Sequence, residues 1–184
     1  MIGWLLLLAL PCAAADLFLT PSSFELSPGE RFTVMMEGAT QIKDPVLVAP
    51  SGVYNLTNLR SADGVMAADG AAKAKGSLVV AAKSGLLFGK ALLTCAEPGE
   101  TARKAIGHAL EIVPAADSQS IQVLLRGKPA AGINVEIKRG DDPRKPAGIT
   151  GADGVLRLPL TSSGVYRIAV SAESMSATLT FERK

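Results

Sequence analysis

Residues 121–138 read IQVLLRGKPAAGINVEIK, and this stretch decides the fold class. Apolar side chains recur at every second position before the segment RGKPAAG, at Ile121 and Val123, and again after it, at Val135 and Ile137. Because strand residues point alternately to opposite faces, each half presents one apolar and one polar face. Two amphipathic strands joined by a Gly- and Pro-containing turn are therefore predicted here.

The same alternation extends outward in both directions. It recurs over residues 32–36, 156–160, 166–170 and 179–181, with Gly, Pro, Asn and Asp between the segments. Long helical patterns are absent. Short strands separated by regular turn signals are typical of antiparallel sandwiches. The sequence predicts an all-β protein of two small antiparallel β-sandwich domains, immunoglobulin-like or prealbumin-like, packed together.

Three Ala-Asp-Gly tripeptides punctuate these segments, at residues 62–64, 68–70 and 152–154. Asp-Gly supplies the positive φ angles that tight hairpins require, so all three are predicted to be turns. Calcium binding is the sharper interpretation of the aspartates, but the run of oxygen ligands that a calcium loop needs is missing.

A change of pattern near residues 114–120, where Pro-Ala-Ala-Asp-Ser-Gln-Ser intervenes, suggests a domain boundary. We predict an N-terminal domain over residues 16–113 and a C-terminal domain over residues 114–184. The C-terminal piece is short, and burial at that size barely offsets the entropy of ordering the chain. The two halves are therefore expected to pack on each other and share burial.

The N-terminus predicts the compartment. An apolar run over residues 2–10 is followed by Ala13-Ala14-Ala15, which fits a secretory signal peptide with an A-x-A cleavage site after residue 15. A bilayer-spanning helix needs about 20 apolar residues, so no membrane span is expected after cleavage. A buried strand or an anchor is the alternative. The expected location is periplasmic or secreted, with Cys95 as the single remaining cysteine.

Composition disfavours several classes of function. A net charge of +2 is too small for a nucleic-acid-binding footprint. Aromatic residues make up only 4%, which disfavours carbohydrate stacking. His108 is the single histidine, and none of the common nucleophile, zinc-protease or phosphate-loop motifs occurs. The chain is therefore predicted not to be an enzyme.

Cys95 and His108 form the one pair that could hold a metal. Cys95 ends an apolar strand, and His108 precedes the strand at residues 109–113. If those strands pair, a soft thiolate and an imidazole approach each other, a combination suited to nickel, copper or zinc. The competing interpretation is a buried cysteine and a histidine at a turn.

Two resemblances add to this reading. Residues 127–132, 150–154 and 164–166 carry the G-K-P-x-x-G, A-D-G and G-x-Y elements and resemble the prealbumin-like, carboxypeptidase-regulatory-type domain. Residues 16–24, 28–30, 89–93 and 110–114 are similar to NikM-like periplasmic components of nickel or cobalt uptake. The second resemblance implies a non-enzymatic, two-domain β protein of the cell envelope that handles nickel or cobalt.

No metal ligand carries over residue by residue from that family. Ala15 stands where many members have a histidine before the aspartate, and Gly151 stands where an acidic residue often precedes the A-D-G turn. The predicted function is a non-catalytic binding or structural accessory module that engages a protein partner in the cell envelope. The alternative is an accessory component of transition-metal uptake, and a carbohydrate-binding module comes third.

Overall fold

The computed structural model describes residues 16–39, 41–115, 117 and 119–184. The predicted signal peptide, residues 1–15, lies outside the described residues. The described chain is built from strands and one short 3-10 helix, Glu100–Arg103. The strands are β1 Phe18–Pro21, β2 Glu25–Leu26, β3 Arg31–Glu37, β4 Lys43–Ala49, β5 Gly52–Asn55, β6 Thr57–Ala62, β7 Val65–Ala71, β8 Gly76–Ser84, β9 Leu87–Cys95, β10 Leu110–Pro114, β11 Ser120–Leu125, β12 Lys128–Pro129, β13 Asn134–Arg139, β14 Lys145–Ile149, β15 Val155–Arg157, β16 Gly164–Ala172 and β17 Met175–Arg183. The prediction of an all-β fold is confirmed.

Three sheets make up the structure. The N-terminal outer sheet has the order β1-β3-β7-β6. The central sheet has nine strands in the order β14-β13-β16-β17-β9-β8-β4-β5, with β2 beside β9. The C-terminal outer sheet contains β10, β11 and β12, and β15 pairs with β11.

The central sheet joins the two halves of the chain through strands β9 and β17. These two strands run parallel, with Leu179 opposite Lys90. β2 also runs parallel to β9, while the other pairs between named strands are antiparallel. The hydrophobic alternation predicted several of these strands, among them β3, β11, β13 and β16, but it did not predict β4 to β8, and it carried no signal for the parallel junction.

Strand β9 contributes side chains to two separate hydrophobic cores. Ala91, Leu93 and Cys95 point into the first core, whereas Phe88 and Leu92 pack with the second. This division follows from the alternation of side chains across a strand. It also explains why apolar residues occupy both faces of β9: each face is covered by one of the cores.

The two cores divide the chain close to the predicted boundary. Buried members of the first core lie between Leu17 and Cys95, and those of the second are Phe88 and residues from Leu110 to Leu179. Strand β10, assigned by sequence to the end of the first domain, pairs with β11 and packs in the second core. The division into two domains, residues 16–113 and 114–184, stays a prediction.

Two of the three Ala-Asp-Gly tripeptides are turns, and one is not. Asp63 and Gly64 have φ angles of 51° and 78° and connect β6 to β7, and Gly154 has a φ of 73°. The prediction was wrong for Asp69-Gly70, which lies within β7. A Cβ at position 70 would lie 2.5 Å from Cζ of Phe32, so this glycine makes room for core packing.

Candidate functional site

The structure does not bring Cys95 and His108 together. Cys95 is fully buried in the first core at the end of β9. The His108 ring instead stacks on Phe88, with ring centroids 5.0 Å apart, at the beginning of the same strand. Cys95 lies seven positions after Phe88 on β9, which corresponds to about 23 Å along an extended strand.

The separation has a topological cause. In the central sheet β9 pairs with β2, β8 and β17, while β10 pairs with β11 in the C-terminal outer sheet. The strand after His108 therefore does not pair with the strand that ends at Cys95. Within the described residues, no group of three or more His, Cys, Asp or Glu side chains could hold a metal ion. Nickel or cobalt binding stays a prediction.

A buried ion pair lies beside His108. The ammonium group of Lys90 donates to the carboxylate of Glu111, and both side chains are 2% exposed. The ammonium also donates to the carbonyl of Ile112 at 3.3 Å. The carboxylate accepts the backbone N–H groups of Ile106, Gly107 and His108 at 2.7, 3.1 and 3.2 Å.

Burial sets the protonation behaviour of this cluster. Desolvation lowers the pKa of Lys90, and the neighbouring Glu111 opposes that change. Desolvation also lowers the pKa of His108, with Glu111 acting against it and Lys90 and Lys83 acting with it. The Nε2 atom of His108 is buried and has no hydrogen-bond partner among the described residues.

The ion pair gives a structural reason for two sequence motifs. Lys90 belongs to the segment GKALL and Glu111 to LEIVP, the two segments on which the resemblance to NikM-like proteins partly depends. Their side chains fasten residues 106–111 onto β9. This buried cluster therefore stabilises the junction between the two halves.

An open cleft lies at the end of strands β9 and β17. Its volume is about 560 Å³, and both halves of the chain line it. Apolar walls predominate, formed by Phe24, Leu92, Ile121, Leu158, Leu179 and Phe181. Ligand pockets commonly have volumes of about 300–1,000 Å³ and mostly apolar walls with a few polar groups.

Charged side chains also line this cleft. Arg183 lines it, and the Nη1 atom of that guanidinium is buried without a hydrogen-bond partner among the described residues. Glu25 and Lys184, which also line it, form an ion pair. The carboxylate of Glu25 raises the pKa of Lys184, which keeps that amine charged.

Sequence reasoning missed the cleft. Its walls come from β2, β9, β11, β17 and the segment near the 3-10 helix, and only the parallel junction of β9 and β17 places them together. The alternation marked Leu158, Leu179 and Phe181 as inward-facing, but it could not show that their faces leave a gap. No local signal identified Arg183.

None of the helices in the described part of the chain has the length and apolar character to cross a membrane.

One protein family matches most of the chain. The family described as "Domain of unknown function (DUF4198)" matches residues 37–174. That description assigns no metal, ligand or activity. No protein of curated function matches the sequence.

Several solved structures align over most of this chain at low similarity. The BSP domain of a biofilm associated protein is 13% identical, with 88% of this chain and 28% of that chain covered, at a TM-score of 0.27. The I67–I69 fragment of the titin I-band is 12% identical, with 89% and 62% covered, at 0.29. Salmonella alpha-2-macroglobulin reacted with methylamine is 14% identical, with 93% and 15% covered, at 0.32. TM-scores this low add nothing to the sheet order described above.

Proposed function

The chain belongs to the DUF4198 family, and we propose that it is a non-catalytic binding module of the cell envelope that holds a segment of a partner protein in the cleft. The observation that carries this proposal is the cleft itself, with apolar walls from both halves and an unsatisfied guanidinium N–H. The envelope location rests on the predicted leader at residues 1–15. The absence of catalysis rests on the lack of a recognisable catalytic motif in the sequence.

The chemistry of the cleft indicates what it binds. Side chains such as Leu92 and Leu158 favour an apolar occupant because burying apolar surface is favourable by about 25 cal/mol per Å². A buried guanidinium N–H without a partner costs free energy, and an incoming carboxylate removes that cost with a charge-assisted hydrogen bond. We therefore expect a short apolar peptide segment that carries a carboxylate.

We do not extend the proposal to nickel or cobalt uptake. That function needs a set of ligands that converge on one point, and the two candidates lie at opposite ends of β9. No other described feature favours it.

Site-specific photo-crosslinking in the cell envelope of the host tests the proposal. A photoreactive phenylalanine analogue replaces Phe24, a half-buried aromatic residue of the cleft. The matched control carries the analogue at Phe18, which is also half-buried but lies on β1, outside the cleft. We expect one protein adduct of defined mass from position 24 and none of that mass from position 18.

The crosslinked partner is then used to test the chemistry. A synthetic peptide with the crosslinked sequence should bind the purified protein and lose about tenfold in affinity in Arg183→Ala, with Arg103→Ala, an exposed arginine, as control. Ala102→Trp, which fills the cleft from the 3-10 helix, should abolish the adduct. Equal adducts from positions 18 and 24, or full peptide affinity in both cleft variants, would contradict the proposal.

A further inference from the structure

A second concavity lies on the N-terminal outer sheet, away from the cleft. This groove has a volume of about 630 Å³ and is formed by β3, β6, β7 and the ends of the neighbouring loops. Its polar lining includes Arg31, Thr33, Asn55, Thr57, Asn58, Arg60, Asp69 and Lys73. None of these residues contributes to the cleft.

Strand register explains the shape of the groove. On β7, Ala71 is paired with Arg31 of β3, and Asp69 is paired with Thr57 of β6. Ala71 has only a methyl group, so β7 forms a low floor between longer side chains of its neighbours. The floor is rigid because β7 is hydrogen-bonded to a strand on each side.

The single carboxylate in the groove is already neutralised. Asp69 accepts hydrogen bonds from Oγ1 of Thr33 at 2.9 Å and from Nδ2 of Asn58 at 3.0 Å. It also forms an ion pair with Nη1 of Arg60 at 3.0 Å. The hydrogen bond from Asn58 is the largest of the effects that lower the pKa of Asp69, followed by that from Thr33. This network fixes Asp69 and Arg60 in place.

Two cations in the groove remain uncompensated. Neither Arg31 nor Lys73 takes part in an ion pair among the residues that the structure describes. The Lys73 ammonium lies 5.9 Å from the centre of the Tyr54 ring, which orients it without cancelling its charge. With three cations and one carboxylate, the groove carries a net charge of +2.

We infer that this groove binds an acidic saccharide, with Arg31 and Lys73 receiving sugar carboxylates and the side chains of Asn55 and Thr57 receiving hydroxyl groups. Guanidinium and ammonium groups form charge-assisted hydrogen bonds with carboxylates. The neutral amides and hydroxyls that line the groove match the alternating donors and acceptors of a sugar.

Other polyanions fit the groove less well. Single-stranded nucleic acids are held by rows of aromatic side chains, and Phe32, the one aromatic residue that lines the groove, is buried, with 3% of the residue exposed. An anionic lipid would need an apolar surface for its acyl chains beside the cations. The lining here is polar instead, so the charge is presented to a hydrated, hydroxyl-rich ligand.

Isothermal titration calorimetry with a galacturonic acid hexamer tests the inference, in low salt, with neutral maltohexaose as the uncharged comparison. We expect the hexamer to bind and maltohexaose to bind at least tenfold more weakly. Arg31→Ala/Lys73→Ala should weaken the hexamer at least tenfold. The control Arg103→Ala/Lys128→Ala removes the same two charges at exposed positions outside the groove and should retain affinity.

Further variants separate charge from folding. Arg31→Lys/Lys73→Arg keeps both charges and should retain most of the affinity, and circular dichroism should show unchanged melting of every variant. The inference is overturned by no binding of the hexamer, by equal binding of maltohexaose, or by equal weakening in the control. Tighter binding of a single-stranded oligonucleotide or of phosphatidylglycerol vesicles would likewise overturn it.

Discussion

Lys90 and Glu111 form a fully buried ion pair between the central sheet and the first strand of the C-terminal outer sheet. Their segments are separated by the loop that contains the 3-10 helix and His108. The carboxylate binds that loop through three backbone N–H groups while it binds the ammonium. One pair therefore positions a strand of each half and the connection between them.

Replacing Lys90 alone should destabilise the protein strongly. Lys90→Met leaves a buried carboxylate without its counter-charge, and breaking such pairs typically costs about 3–5 kcal/mol. Lys90→Met/Glu111→Gln removes both charges and keeps an acceptor for the loop, so about 1 kcal/mol or more should be recovered. Urea unfolding followed by circular dichroism measures both. If the single variant unfolds at the wild-type urea concentration, the pair does not stabilise the junction.

Acid should destabilise the protein through His108. Because burial lowers its pKa in the folded state, the unfolded chain binds a proton below its ordinary pKa of about 6.5 that the folded chain does not. The stability that neutral His108 contributes to the folded protein is therefore fully present above pH 6.5. It is lost as the pH falls below 6.5 toward the lowered pKa of His108 in the folded state.

The variant His108→Phe isolates this effect. Phenylalanine keeps the stacking on Phe88 and removes the titration, so the loss of unfolding free energy between pH 7 and 5.5 should be smaller than in the wild type. Urea unfolding at both pH values measures it. Equal losses in the two proteins would show that His108 does not titrate on unfolding.

Gly70→Ala should destabilise the first core. A Cβ there would lie 2.5 Å from Cζ of Phe32 and 2.9 Å from Cδ2 of Leu56. Overpacking of this kind typically costs about 1–3 kcal/mol. In the control Gly151→Ala, the nearest atom is Oδ1 of Asp153 at 3.2 Å, on a loop, and we expect a smaller change. Thermal unfolding compares the two, and equal shifts would contradict the packing argument.

The Cys95 thiol should be unreactive in the folded protein. It is 0% exposed within the first core, so a thiol reagent should modify it only when the core opens. The rate of labelling by a chromogenic disulfide should rise steeply across the urea transition. Added nickel should not change that rate in native buffer, and rapid labelling that nickel prevents would instead support an accessible metal ligand.

Local sequence patterns predicted individual strands and turns correctly where local side-chain alternation or a turn dipeptide determines them. Val135 and Ile137, on a strand predicted from periodicity, are buried in the second core, and Asp63-Gly64 is the predicted hairpin turn. Asp69-Gly70 was predicted as a turn on the same local signal. A tertiary contact with Phe32, which dipeptide statistics do not contain, places it in a strand instead.

The candidate sites depend on long-range pairing, which periodicity does not encode. The apolar run that ends at Cys95 was predicted as a strand, but its partner strands, β2, β8 and β17, could not be inferred from it. Without that pairing, both interpretations of Cys95 and His108 stayed open, while the cleft around Arg183 could not be inferred. The sequence contains the cations Arg31 and Lys73, but nothing in it indicates that the folded chain places both in one groove.

The parallel contact between β9 and β17 has a consequence for the order of folding. Strand β17 inserts beside β9, and Ser176 near the start of β17 contacts Asp16, 160 positions earlier. Such non-local closure is slow because the entropy of a large loop is lost before the contacts form. The central sheet can therefore close only after β17 has left the ribosome, and truncation within β17 would leave the second core open beside β9.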